Sequence, residues 1–134
     1  MATVTIPTLR KFRDLDLSFI SHPIRKDVNV FVNEYAIINS VKNLVLTNFY
    51  ERPFRPEIGS NIRRLLFENF DVIVSTQIER AIQETIENYE PRVTISKILV
   101  KPDPDKNGYN VTLNFFIINL TNPLSITFFL ERIR

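Results

Sequence analysis

The chain has 134 residues, 44% of them hydrophobic and 24% charged, with a formal net charge of +2. That suits one globular domain and leaves no apolar run near the ~20 residues that cross a bilayer. With no cysteine, one histidine, two glycines and lysines and arginines interspersed with acids, the chain lacks the materials of disulfides, thiolate nucleophiles, sulfur-bound metals, glycine-rich phosphate loops and basic nucleic-acid stripes. No cofactor, nucleic acid or membrane insertion is therefore expected.

The N-terminal stretch Met1 to Arg10 has no continuous apolar segment or small-residue cleavage site, so the chain is expected to stay in the reducing compartment where it is made. Leu15, Leu17 and Phe19 alternate with Asp16 and Ser18, as a short strand or extended arm does. His22-Pro23 reads as a turn, because proline biases the residue before it away from helix; as the only histidine, His22 has no partner for a metal site. Asn33 then caps a helix that Glu34 opens, with Ile37, Ile38, Val41, Leu44 and Val45 on one face, ending near Thr47 or Asn48.

Glu51-Arg52-Pro53-Phe54-Arg55-Pro56-Glu57-Ile58-Gly59 follows as an ordered loop, since two prolines prevent regular helix. Ser60 is expected to cap a short helix through Phe67, with Ile62, Leu65 and Leu66 on one side. The longest periodic segment, Val72 to Tyr89, carries Val74, Ile78, Ala81, Ile82, Thr85, Ile86 and Tyr89 on its apolar face. Its start is either Asp71 as cap or a Thr76/Glu79 capping box.

Beyond Arg92 the period becomes two. Val93 and Ile95 are out of phase with Ile98 and Val100, which predicts a β-bulge near Ser96-Lys97. Asn107-Gly108 marks a hairpin, with Pro104 lengthening its loop. A strand from Tyr109 to Ile118, a turn at Asn122-Pro123 and a last strand in which Leu124, Ile126, Phe128 and Leu130 alternate with Ser125, Thr127 and Phe129 complete a three-stranded antiparallel meander. Phe116, Ile118 and Phe129 fall on its opposite face, either as a partner surface or as a second small core with Phe12 and Leu15. The fold class is α+β: two main helices and a short one on the meander, with an N-terminal arm over 1–32, a helical part over 33–92 and the sheet over 93–134, all in a single domain.

Glu90-Pro91-Arg92 joins the long helix to the first strand of the meander. Pro91 is a helix stop, and Arg92 suits the negative end of the helix dipole. Glu90 is disfavoured there unless a cation pairs with it, and Arg92 or a partner's arginine can supply one. Arg52, Phe54, Arg55 and Glu57 have the same double reading, as local ion pairs or as interface anchors. Glu51, Glu57, Glu68 and Glu90 lie near turns, but fifteen acids always supply carboxylate pairs, and nothing in the sequence sets the separation that glycoside hydrolysis needs.

In order and spacing, the Glu51 to Gly59 segment, Leu66-Phe67-Glu68 and Tyr89-Glu90-Pro91-Arg92 resemble the signature of the baseplate wedge proteins of contractile-tailed phages. This family carries an older "lysozyme-like" label and is related to a baseplate component of type VI secretion systems. The likeness extends through Asp14-Leu15-Asp16-Leu17, Ile38 to Leu46 and the strand pattern. It departs at Tyr50, where the family often has glycine. The resemblance implies a non-enzymatic virion component of the tail baseplate, assembled in the host cytoplasm. Glu90, Pro91 and Arg92 would hold the helical core bundle of neighbouring wedge proteins, with the loop of Arg52, Phe54, Arg55 and Glu57 as a weaker contact. The sheet would resemble the strand-exchange domain of the tail sheath protein, so that Leu124, Ser125, Ile126, Thr127, Phe128, Phe129 and Leu130 meet the sheath and start its assembly; tail tube or hub proteins are further partners. The alternative is a peptidoglycan-degrading glycosidase.

Overall fold

The structure, a computed structural model, describes residues 13–15, 24, 30–32, 34–118 and 120–132. It divides into two compact units between Asn39 and Ser40. In the first unit, β1 (Arg13–Leu15) pairs antiparallel with β2 (Val30–Val32), Arg13 opposite Val32 and Leu15 opposite Val30. Of the expected extended segment, Leu15 to Phe19, only Leu15 is described, as the last residue of β1; residues 16 to 19, the His22-Pro23 turn, Phe12 and the Asn33 cap lie outside the described residues. Helix α1 (Glu34–Leu46) opens on the acid that favours the positive end of its dipole. It crosses into the second unit, and within the predicted stripe Ile37, Val41, Leu44 and Val45 are buried while Ile38 is half-buried.

The second unit is built on α3 (Val72–Tyr89) and a sheet of β3 (Val93–Asp103), β4 (Gly108–Ile117) and β5 (Leu124–Glu131), in the order β3-β4-β5. Helix α3 lies against β3. Its face of Val74, Ile78, Ile82, Thr85 and Ile86 is buried as the 3.6-residue period predicts. Neither expected side-chain cap forms. Asp71 holds the cap position, so the earlier of the two expected starts is the one found, but its side chain makes no cap hydrogen bond; Thr76 Oγ1 donates to the Val72 carbonyl at 3.1 Å, and Glu79 accepts the Val100 N–H of β3 at 3.1 Å.

Between the longer helices, α2 (Ile62–Leu65) is shorter than expected, and Ser60 is not its cap. Ser60 is extended, bridging Asn48, and its buried hydroxyl donates to the Val45 carbonyl at 2.8 Å. It satisfies an acceptor that the end of α1 would otherwise leave unpaired. Past α2, the carbonyls of Leu66 and Phe67 accept from Arg132 at 3.2 and 3.5 Å. The Arg132 guanidinium lies 5.0 Å from the Phe70 ring centre, and that ring packs 5.3 Å from Tyr109 in the core.

The β-bulge lies where the phase change predicts it, with the β3/β4 register shifting between Ile95 and Lys97. It brings Val93 and Val100 to the buried face, with Ile95 and Ile98 half-buried. Tyr109, Val111, Leu113, Phe115, Phe128 and Leu130 complete that face from β4 and β5. The opposite face carries Lys97, Lys101, Asn110, Thr112, Asn114, Ser125 and Thr127, among which Leu99, Phe116 and Phe129 are partly exposed. The β3/β4 loop spans Pro104 to Asn107, and Asn107 takes a left-handed φ of 53°.

Gly108 sits opposite Glu131 on this outer face, with the Phe129 ring over it. A methyl there would strike the Phe129 ring and the Leu130 carbonyl. Gly108→Ala should lower the unfolding free energy by about 1–3 kcal/mol. In urea titrations, adding Phe129→Ala should recover only part of that loss, because the Leu130 carbonyl cannot turn aside without breaking the ladder.

Candidate functional site

Helix α3 stops at Tyr89 because Pro91 disfavours helical geometry at the residue before it; Glu90 has φ −127° and ψ 77°. The tripeptide is nonetheless fixed at both ends. The Glu90 N–H still donates to the Ile86 carbonyl at 2.9 Å, and the Arg92 carbonyl accepts from the Ile118 N–H at 2.9 Å. One end belongs to the helix and the other to the sheet.

The side chains are held more tightly still. Glu90 is only 4% exposed. One carboxylate oxygen accepts from Arg92 Nε at 2.5 Å; the other accepts from Arg92 Nη2 at 2.7 Å and from Ser40 Oγ of α1 at 2.7 Å. This is the bidentate fork geometry that makes arginine–carboxylate pairs strong and orientation-specific. Burial pushes the Glu90 carboxyl upward, but the hydrogen bonds from Arg92 and Ser40 and the Arg92 charge outweigh it, and the group titrates below its ordinary value. Pro91 is exposed and the Arg92 side chain is 32% exposed. A partner can therefore reach Pro91 and Arg92, while Glu90 faces inward.

The 51–59 loop is fixed by bonds from all sides. Tyr50 N–H donates to the Pro56 carbonyl at 2.9 Å, the Tyr89 hydroxyl to the Glu57 carbonyl at 2.6 Å, and Thr85 Oγ1 to the Gly59 carbonyl at 3.3 Å. Glu51 accepts from the Asn48 N–H at 2.8 Å. At Gly59, φ is 153° and a Cβ would lie 2.7 Å from the Asn48 carbonyl group, so glycine is required there. On this frame Phe54 is 97% exposed, and Arg55 makes a solvent-exposed pair with Glu57 at 3.3 Å.

Sequence spacing leaves the relation between the two motifs open, and the structure brings them together. A recess of about 290 Å³ is lined by Ser40 and Leu44 of α1, Arg52, Arg55 and Ile58 of the loop, and Asn88 and Tyr89 of α3. Ser40 lines it and also binds Glu90, so the Glu90–Arg92 pair lies at its margin. No sequence signal identified Ser40, which lies fifty positions from Glu90.

The third candidate, β5, does not line this recess, although its end, Phe129 to Glu131, shares another with Glu51. Among the described residues it pairs with β4 alone. Because the Arg132 N–H donates to the Asn107 carbonyl, alternation along the strand directs the backbone groups of Ser125, Thr127, Phe129 and Glu131 away from β4. The outer edge of β3 is occupied differently: Glu79 takes the Val100 N–H, and Pro102 has none to offer.

Residues 33–119 match the family model described as baseplate wedge protein gp25. The chain belongs to the gp25 family of baseplate wedge proteins. The gp25 baseplate wedge protein of Enterobacteria phage T4 is 33% identical over 94 residues, spanning 70% of this chain and 71% of its own. A chain of the anti-feeding prophage baseplate shares the fold with a TM-score of 0.72 at 20% identity, covering 84% of this chain and 90% of that one. A Geobacter sulfurreducens protein described as a candidate tail lysozyme does so with a TM-score of 0.71 at 18% identity, covering 75% and 92%. Within the family signature, the departure at Tyr50 has a backbone explanation. Tyr50 adopts a left-handed φ of 66°, a conformation glycine takes without strain, and its N–H bond to Pro56 holds it there.

The Glu90 site makes stability depend on pH. Its carboxyl titrates lower in the folded chain than its ordinary value of 4.5, so it stabilises the fold above that value, and the contribution is lost as pH falls through the folded value. Glu90→Gln should cost about 1–3 kcal/mol at neutral pH. The gap from the parent in urea titrations should narrow steadily on acidification below pH 4.5.

Proposed function

We propose that this chain is a structural component of the tail baseplate wedge, docked to the helical core bundle of neighbouring wedge proteins through Pro91 and Arg92. The observation that carries this reading is the inward-held Glu90. Its carboxylate orients the Arg92 guanidinium without competing for it from outside, so the arginine is presented to a partner already ordered, which lowers the entropic cost of docking. Glu90 and Ser40 are then positioning residues, and Arg92 makes the contact.

The open edge of β5 supports the second half of the proposal, a sheath-like surface from which the tail sheath protein begins to assemble by strand addition. The asymmetry of the sheet favours β5 as the accepting edge, since α3 occupies the other one. Contacts with tail tube or hub proteins and assembly in the host cytoplasm belong to the same reading. A peptidoglycan glycosidase would need a carboxylic acid kept protonated near neutral pH. The one buried carboxyl among the described glutamates is held in the opposite state.

Coexpression with the neighbouring wedge proteins tests the docking half. Arg92→Ala should weaken co-purification by about 2 kcal/mol, roughly 30-fold, and Arg92→Lys should not restore it, because an ammonium cannot reproduce the fork. Parent-like assembly of Arg92→Ala would overturn this role. For the sheath half, Thr127→Pro removes an outward N–H from β5 while leaving its pairing with β4 intact. The variant should fold and enter baseplates that no longer start sheath polymerisation, as counted by electron microscopy.

A further inference from the structure

We infer that the recess beside Ser40 is a seat for a carboxylate-bearing segment of the partner wedge protein, gripped by Arg52 and Arg55 and flanked by Phe54. This rests on the docking role proposed above and names the chemistry that the docked segment must carry. At about 290 Å³ the recess is at the small end of ligand pockets and has room for a side chain or two. Its lining pairs an apolar floor, Leu44 and Ile58, with two guanidinium groups, Arg52 and Arg55. An acidic side chain offers the matching parts, a methylene stem and a planar anion.

The local charges leave the site in need of an anion. Arg52 has no acidic partner among the described residues, and the solvent-exposed Arg55–Glu57 pair is of the kind worth about 0–1 kcal/mol, so a ligand can displace it. Glu90, the nearest buried acid, is already neutralised by Arg92, whose Nη2 lies 3.5 Å from Ser40 Oγ on the recess wall. Glu51 is engaged by the Asn48 amide. Of the charges at the recess itself, the two guanidinium groups of Arg52 and Arg55 thus meet one carboxylate, Glu57, while Glu51 lines a different recess.

Phe54 adds the second element of an anchor. A fully exposed phenylalanine between two arginines has the composition of an interface hot spot, and the bonds holding the loop backbone keep it ordered before binding. The mixed-sign surface and small recess suit a protein segment rather than a nucleic acid, whose phosphates call for a longer basic stripe.

The test uses the full chain and overlapping synthetic peptides that tile the neighbouring wedge proteins. The parent should capture peptides containing Asp or Glu. An Arg52→Glu/Arg55→Glu variant should lose at least tenfold in affinity for them, an Arg52→Gln/Arg55→Gln variant should lose less, and raising the salt should shrink the differences. Both arginines are exposed, so thermal unfolding of the variants should match the parent. Captured peptides without acids, or equal capture by the charge-reversed chain, would overturn the inference. Coexpression separates it from the docking role: if Arg92→Ala fails to assemble while Arg52→Glu/Arg55→Glu assembles normally, only the seat is wrong. If Arg92→Ala assembles normally, the docking role itself fails.

Discussion

A carboxylate almost removed from water at the end of a helix is the constraint around which the second unit is arranged. Glu90 sits where the partial negative charge of α3 accumulates, and neither burial nor the helix dipole favours its ionised form. Arg92 and Ser40 reverse that balance. Satisfying one anion joins three elements: α1 supplies the hydroxyl, the end of α3 the acid and the entry to β3 the guanidinium. Pro91 makes this possible by turning the chain within one residue, so that Glu90 and Arg92 form a fork across it.

The loop before α2 follows the same economy of local strain and tertiary compensation. Tyr50 and Gly59 occupy positive-φ conformations at its two ends, which a free chain would seldom keep together. Tyr89 and Thr85 of α3 donate to the carbonyls of Glu57 and Gly59. The result is a rigid platform that leaves Phe54 in water and gathers Arg52 and Arg55 beside the Glu90 pair.

The two edges of the sheet differ, and α3 bears on one of them. With α3 against β3 and Glu79 bonded to the Val100 amide, strand addition on that side is obstructed. On the opposite side β5 keeps a row of outward backbone groups. Among the described residues the sheet thus has one obstructed edge and one open one.

The elements themselves were legible in the sequence. The 3.6-residue period located α3 and its buried face, and the phase slip between Ile95 and Ile98 located the bulge. Asn107-Gly108 located the hairpin, and the ordered motifs from Glu51 to Arg92 pointed to the wedge family. These signals are local, because periodicity and turn chemistry depend on neighbours a few residues apart. The expected Ser60 cap was also a local inference, and it failed because a distant acceptor, the Val45 carbonyl, competed for the hydroxyl. Ser40 as third member of the Glu90 site, the recess joining two motifs some forty residues apart, and Glu79 closing the β3 edge depend on which elements meet across the core. Only the tertiary structure decided them, since a hydrogen bond between remote residues leaves no period or spacing in the chain that makes it.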